Sequence, residues 1–397
     1  MTISLPLRLA RFAVATVFFV NGAATANWLV RIPAIQSKLA LSAGALGVTL
    51  FGVAVGALIS MPWTGRLVAR YGSRPVTQVA AVIFATVFLL PPLAPNAVVL
   101  FVALVALGAG HGALDVAMNA QAATVERQYG RPIMSGFHAL FSFGGLVGAA
   151  MGGAIASHGI SPVAHLAATA VVAGLAASWV ARSMLPANAD AAPDHVPPAR
   201  PSGALLTLGI VAFCVLLGEG AMADWSAVYL RDVTSAGPGL AAGGYAAFSL
   251  AMATGRLVGD KLTLRVGATR LVRGGGVLAA VGLAMALAFN SSWAAILGFG
   301  AVGAGLSISF PTVLTTASRL PGVTPGPAIA TVSTFGYAGF LAGPPLIGFV
   351  AEAITLRGGL AVVVVTCLVV AFLAGRKSTG SDSFELMNQE INGVRLL

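Results

Sequence analysis

Long apolar stretches separated by short polar segments run through most of this 397-residue chain. A helix needs about 20 apolar residues to cross the roughly 30 Å of hydrocarbon in a bilayer. Twelve stretches approach or exceed that length, at residues 9–31, 44–64, 75–94, 98–123, 132–157, 163–184, 204–229, 239–259, 273–290, 293–316, 327–351 and 358–375. The pattern predicts an all-α polytopic membrane protein with twelve transmembrane helices.

The twelve predicted spans fall into two groups of six. Between the groups, residues 186–203 read PANADAAPDHVPPARPSG, a composition too rich in proline and small polar residues for a span or a core. We therefore expect an N-terminal six-helix half at 1–185, a cytoplasmic linker at 186–203, a C-terminal half at 204–376 and a polar cytoplasmic tail at 377–397.

Composition agrees with a membrane protein, because 57% of the residues are hydrophobic and only 9% are charged. The net charge of +10 would suggest nucleic acid as a partner in a soluble protein, but its distribution gives another explanation. Most basic residues fall in alternate loops, and Arg31, Lys38, Arg231 and Arg357 are the exceptions. By the positive-inside rule, both termini are expected in the cytoplasm, with the lipid bilayer as partner and no nucleic acid.

Two short motifs recur at corresponding spans of the two groups. GRLV occurs at 65–68 and again at 255–258, and GAAMGG from Gly148 is similar to GPPLIG from Gly343. Small residues of this kind allow helices to approach closely. The recurrence predicts duplicated six-helix halves that rock about a central site.

The segment GRLVARYGSRP, after the second span, resembles the signature loop of the major facilitator superfamily, and the resemblance covers the chain up to about Arg376. It implies a cytoplasmic gate at Gly65, Arg70, Gly72 and Arg74. Ala69 stands where that family usually carries an aspartate, so Asp260, together with Arg256 in the second half, is the candidate replacement.

A closer resemblance is carried by DVAMNAQAATVE and RPIMSGFHALFSFGG. Together they look like a branch of uncharacterised bacterial inner-membrane permeases related to fucose/proton symporters. The resemblance implies a monomer in the bacterial inner membrane that takes up a sugar-like solute with protons. The fifth span is similar to the glycine-rich antiporter motif, but Ala149 replaces its proline, which argues against a drug antiporter.

Three acidic residues lie within the predicted spans: Asp115, Glu219 and Asp224. A carboxylate at the centre of a membrane helix costs about 2.5 to 3.5 kcal/mol on insertion scales, so each should face the interior of the bundle. His111 and Asn119 lie four residues either side of Asp115 and share its helix face. We interpret this stripe as part of a transport site.

The fifth span adds His138 and Ser142, again four residues apart. An imidazole close to a carboxylate can couple proton binding to transport, so we assign proton coupling to Asp115, His138 and Glu219. Two structural alternatives stay open. Asp115 and His138 could merely join two helices, and His111 could merely satisfy Asp115.

GEGAMADW in the seventh span and NGAATANW in the first are similar. The substrate-binding candidates are Asn21, Asn27, Trp28, His111, Asn119, Ser142, Asp224 and Trp225. The two tryptophans have two interpretations, as anchors at the membrane interface or as rings that stack on a sugar. Arg31 is expected at the periplasmic rim.

These observations favour a proton-coupled secondary transporter for a small polar solute, with no cofactor and no metal. Cys214 and Cys367 lie in apolar runs and suggest no redox chemistry. Proton-driven export of drugs or metabolites is the alternative within transport. A membrane-embedded enzyme that uses the histidine and aspartate as acid and base, or a receptor that binds without transporting, are the other classes.

Overall fold

The computed structural model describes residues 4–130, 133–189, 203–320 and 325–375. Almost all of these residues are helical. The helices are α1 (Leu5–Leu29), α2 (Ile32–Lys38), α3 (Ala43–Tyr71), α4 (Ser73–Val87), α5 (Leu90–Leu93), α6 (Ala97–Tyr129), α7 (Met134–Ser157), α8 (Pro162–Val180), α9 (Gly203–Asp232), α10 (Pro238–Val266), α11 (Ala268–Ala288), α12 (Ser292–Leu306), α13 (Ser309–Ser318), α14 (Pro325–Ala353) and α15 (Leu356–Gly375).

Each predicted span corresponds to one long helix or to two helices in succession. Within the described ranges, eleven helical segments are long and apolar enough to cross a membrane. α10 is the twelfth: it has 29 residues, about 44 Å of helix, and carries Arg256, Lys261 and Arg265 in its second half. The predicted all-α architecture with twelve membrane helices is confirmed. Most of the predicted linker and the whole tail beyond residue 376 lie outside the described residues.

Proline does not break every helix that contains it. The tenth span divides between Leu306 and Ser309, and Pro311 occupies the first turn of α13, where a missing N–H costs nothing. Pro344 and Pro345, in contrast, lie inside the continuous helix α14. Each of these prolines leaves the carbonyl group one turn earlier without its helical hydrogen bond. In a membrane bundle, groups on neighbouring helices can satisfy such a carbonyl.

The internal repeat is visible in the helix boundaries. α3 and α10 both have 29 residues, and each ends at a glycine with positive φ, Gly72 (81°) and Gly267 (89°), which lie 195 positions apart. The same offset relates Gly148 to Gly343, so that motif pair is in register. GRLV recurs at an offset of 190 and is therefore out of register by five residues. Arg256 lies correspondingly deeper in α10 than Arg66 does in α3.

Two bundles result, and we call α1–α8 the N-terminal half and α9–α15 the C-terminal half. Within the N-terminal half, α1 packs along α7 and α3 packs along α6, while α9 packs along α14 in the C-terminal half. The halves meet where α7 lies against α10 and α3 against α14. Helix approach inside a half depends on glycine: a Cβ on Gly56 would lie 1.9 Å from the Val105 carbonyl oxygen, and one on Gly108 would lie 1.8 Å from the Val53 oxygen.

Replacing Gly56 by leucine should destabilise the protein. The added side chain has no room against the backbone of α6, and overpacking costs about 1 to 3 kcal/mol even where side chains can shift. Thermal unfolding followed by size-exclusion chromatography in detergent measures the change. Gly274→Leu is the matched control, because a Cβ at Gly274 meets no atom within 4 Å. Equal melting temperatures for the two variants would contradict the close α3–α6 contact.

Candidate functional site

The polar stripe of α6 lies at mid-helix and is half-buried, as the sequence pattern predicts. Asn119 Nδ2 donates hydrogen bonds to the Asp115 carbonyl oxygen at 2.9 Å and to Asp115 Oδ1 at 3.1 Å. In the described part of the chain this amide is the one side chain that bonds to the Asp115 carboxylate. The His111 ring makes no such bond and packs against Phe84, with the ring centroids 5.6 Å apart.

A tyrosine of the C-terminal half approaches the same carboxylate. The Tyr337 side chain, on α14, is 43% exposed although it lies within a membrane span. Its hydroxyl lies in the neighbourhood of the Asp115 carboxylate. Asp115 and Tyr337 therefore face the same part of the bundle, although they come from different halves. Sequence reasoning missed Tyr337, because a single tyrosine in an apolar helix resembles ordinary packing.

A second polar group joins α7, α9 and α10 at similar depth. Arg256 Nη2 on α10 donates to Glu219 Oε2 on α9 at 3.3 Å, and the two side chains are 14% and 16% exposed. Arg256 Nη1 also donates to Ser142 Oγ on α7 at 3.1 Å. Ser142 Oγ in turn donates to the His138 carbonyl oxygen at 3.3 Å. One guanidinium thus connects the two halves across the centre of the bundle.

His138 belongs to this second group and not to the first. Its ring meets Phe18 edge-on, with centroids 5.3 Å apart, and lies within reach of the Arg256 charge. No hydrogen bond joins His138 to Asp115 in the described ranges. The structure therefore gives no support to the alternative in which these two residues tie the fourth and fifth spans together.

Asp224 lies five residues beyond Glu219 on α9 and is half-buried. Within the described residues its carboxylate has no hydrogen bond and no ion pair. The buried Tyr245 side chain, on α10, lies in the neighbourhood of Asp224, Glu219 and Arg256. Intramembrane carboxylates normally pair with another group, so an unpaired one is available to a proton or a solute.

Both tryptophan candidates, Trp28 and Trp225, are buried in the packing of the bundle. Trp28 is 5% exposed and Trp225 is fully buried, so neither is an anchor at the membrane interface. Trp63, Trp179 and Trp293 are all more than 60% exposed and suit that role instead. In this conformation neither Trp28 nor Trp225 offers an open ring face for a sugar.

Asn21 and Asn27 are both engaged inside the N-terminal half. Asn21 Nδ2 contacts the Met118 sulfur at 3.7 Å. Asn27 Nδ2 donates to the Ala23 carbonyl oxygen at 2.8 Å, and Asn27 Oδ1 lies 2.6 Å from His165 Nε2. Among the described residues, no hydrogen bond joins either amide to Asp115 or Glu219.

Arg31 lies in the turn between α1 and α2 and is buried, with 4% of its surface exposed. Its Nε donates to His165 Nδ1 at 2.7 Å and its Nη2 donates to the Ile160 carbonyl oxygen at 2.8 Å. Since Nδ1 accepts, Nε2 carries the proton of a neutral imidazole and donates to Asn27. Sequence reasoning missed His165 because its partners, Arg31 and Asn27, lie more than 130 positions away and share no helical spacing with it.

The residues of the signature loop lie at the corner between α3 and α4. Gly72 needs its positive φ there, and a Cβ on it would lie 2.5 Å from Ala187. The Arg70 guanidinium lies 5.2 Å from the Tyr71 ring centroid, Gly65 is exposed, and Arg74 is half-buried at the start of α4. Arg256 instead belongs to the second polar group, where it bonds to Glu219 and Ser142. The Asp260 side chain lies outside the described residues.

Comparisons of the sequence place the chain among transporters. Residues 14–325 match the sequence profile of the Major Facilitator Superfamily. An uncharacterized MFS-type transporter of Yersinia pestis is 36% identical over 356 residues, which cover 89% of this chain and 92% of that protein. Membrane protein MosC of Rhizobium meliloti is 33% identical over 364 residues, covering 90% of this chain and 88% of the relative.

Solved structures with the same fold are more distant in sequence. A bacterial homolog of the human lysosomal transporter Spinster, in an inward-facing and unoccupied conformation, superposes with a TM-score of 0.72 at 14% identity, covering 94% of this chain and 97% of that one. The nucleoside transporter NupG gives a TM-score of 0.68 at 14% identity, covering 92% and 98%. The profile match and the relatives of similar length lead to one conclusion: the chain belongs to the major facilitator superfamily of membrane transporters.

Proposed function

We propose that this transporter couples the movement of a small, polar, sugar-like solute to protons, by alternating access between its two halves. The observation that carries the proposal is the half-buried carboxylate of Asp115, which lies in a membrane helix with only the Asn119 amide bonded to it among the described residues. A carboxylate so placed is costly when charged and gains from binding a proton.

The second polar group, which we now call the central group, connects protonation to conformation. Arg256 bonds to Glu219 in its own half and to Ser142 in the other half. When a proton neutralises Glu219, the attraction that positions Arg256 weakens, and the bond to Ser142 loses its fixed donor. Protonation can thus alter contact between the halves, and His138, within reach of the same guanidinium, belongs to this relay.

Two observations support the proposed solute class: the polar side chains near Asp115 and Glu219, and the resemblance to fucose/proton symporters. Asp224, Asn119, His111 and the Tyr337 hydroxyl offer acceptors and donors of the kind that hydroxyl groups need. Trp28 and Trp225 would contribute only in a conformation that exposes their rings. We assign uptake as a monomer across the bacterial inner membrane, with the arginine-rich α3–α4 corner and both termini in the cytoplasm.

Replacing Asp115 by asparagine should lower proton-driven solute accumulation by about tenfold or more, because the amide keeps the shape of the side chain but cannot take up a proton. The test measures internal pH in proteoliposomes while pooled sugars and other small polar solutes are added outside. Solute-dependent acidification in the unaltered protein, absent in Asp115→Asn, is the expected result. Asp382→Asn, the same chemical change in the tail, is the matched control.

Two results would overturn this assignment. Unchanged accumulation by Asp115→Asn removes Asp115 from proton coupling. Solute and proton fluxes in opposite directions would show antiport and replace uptake by export.

Glu219→Gln should both lower stability and change solute binding. It leaves Arg256 charged and unpaired at membrane depth, and breaking a buried ion pair costs about 3 to 5 kcal/mol. The double variant Glu219→Gln with Arg256→Gln removes both charges and should recover most of the lost melting temperature while still failing to transport. A double variant as unstable as Glu219→Gln, or a binding curve that matches the unaltered protein at every pH, would contradict the role of the pair.

A further inference from the structure

The two halves approach each other closely at one end of the bundle. We call this the outer end: it is where α7 and α14 finish and where α3 and α10 begin. It lies opposite the arginine-rich α3–α4 corner. In a transporter that works by alternating access, a closed outer end corresponds to the inward-facing state.

At the outer end, α3 and α14 touch backbone to backbone. A Cβ on Gly47 would lie 2.5 Å from the Pro344 carbonyl oxygen and 3.1 Å from the Gly348 Cα. A Cβ on Gly348 would lie 2.8 Å from the Ala43 oxygen. The halves cannot separate here without breaking this contact, and no side chain larger than hydrogen fits while they are closed.

The internal repeat places an equivalent contact between α7 and α10. Gly153, 195 positions before Gly348, would carry a Cβ 2.6 Å from the Cβ of Ala242, which corresponds to Gly47. Both contacts use small residues at matching positions. In shape, therefore, the closure at the outer end is nearly symmetric.

The polar contacts at the outer end are not symmetric. Glu352 Oε2, on the last turn of α14, accepts a hydrogen bond from the Gly44 backbone N–H in the first turn of α3, at 3.0 Å. The N–H groups of a first helical turn have no partner inside the helix and favour a carboxylate. Ser157 occupies the corresponding position on α7, but its Oγ donates to Ala154 in its own helix at 2.8 Å.

Arg231 makes the second polar contact between the halves. Its guanidinium, at the end of α9, donates to the Pro33 carbonyl oxygen, to Ser37 Oγ at 2.7 Å and to Gln36 Oε1 at 3.0 Å, all on α2. Its Nε pairs with Asp232 at 2.7 Å. Arg231 can therefore leave α2 without losing its carboxylate partner, which makes the contact with α2 releasable.

We propose that Arg231 and Glu352 form a releasable latch that holds the outer end closed. Both groups belong to the C-terminal half, and both bind backbone or short polar side chains of the N-terminal half. Neither lies near Asp115 or Glu219 along the chain. The latch follows from the inter-half contacts and from membership of a transporter family, so it stands whether or not protons are the coupling ion.

The test measures the distance across the outer end by pulsed electron paramagnetic resonance. Spin labels are attached at His158→Cys and Ser291→Cys, both exposed and in opposite halves, after the buried Cys214 and Cys367 are replaced by alanine. The protein with an intact latch should give one short-distance population. Arg231→Ala and Glu352→Gln should each raise the long-distance fraction by about twofold or more, and further when combined.

Two further variants make the result decisive. Gly47→Val is a wedge that prevents the closed contact and should give mainly the long distance. Ser157→Ala, the counterpart of Glu352 in the repeat, should leave the distribution unchanged, because Ser157 bonds only within α7. Glu352→Gln should fold like the unaltered protein, because the side chain at this position is exposed and glutamine keeps its shape.

Three outcomes would overturn the latch. If the wedge opens the outer end but Arg231→Ala and Glu352→Gln do not, small-residue packing alone keeps it closed. If Ser157→Ala opens it as much as Glu352→Gln, the effect belongs to helix ends in general. If the wedge itself leaves the short distance intact, the α3–α14 contact does not close this end in the membrane.

Discussion

Hydrocarbon offers no hydrogen bonds, so every polar group within a membrane span must find a partner in the protein, a cavity or a ligand. The structure satisfies this constraint by two different means. Arg31, in the turn after α1, donates to His165 and to a carbonyl group, and these bonds join α1 to α8 inside the N-terminal half. Asp115 and Asp224 are compensated only partly or not at all in the described residues, and both are half-buried. That difference separates structural polar groups from candidates for transport.

Much of the fold could be predicted from the sequence because hydrophobic length is a strong signal. The predicted spans and the helices agree closely, as 239–259 and Pro238–Val266 illustrate. The polar stripe at His111, Asp115 and Asn119 was recognisable for a different reason: residues four apart in a helix lie on one face. Residues whose role depends on the other half carry no such local signal. Tyr337 and Arg231 could be identified only once α14 and α9 were placed beside the N-terminal half.

Where sequence reasoning failed, the failure had a physical cause. Trp28 and Trp225 suggested interfacial anchors because tryptophan prefers that depth on average, but the packing of α1 and α9 buries both rings. The GRLV repeat suggested that Arg256 lies at the cytoplasmic gate, yet the helix boundaries place it five residues out of register with Arg66. A four-residue identity in a chain with 49 glycines is weaker evidence than a boundary that repeats at a constant offset.

Continuous helices connect the polar groups around Asp115 and Glu219 to the outer end. α9 carries Glu219 and Arg231, which lie about 18 Å apart along a helix axis at 1.5 Å per residue. α14 likewise carries Tyr337 and Glu352, about 22 Å apart. A helix transmits a tilt over such distances without unfolding, so a change at Asp115 or Glu219 that tilts either helix also moves a residue of the outer end. α9 packs along α14. In the proposed mechanism the two helices therefore move together, so that solute binding at the centre and release of the outer end are steps of one rigid-body motion.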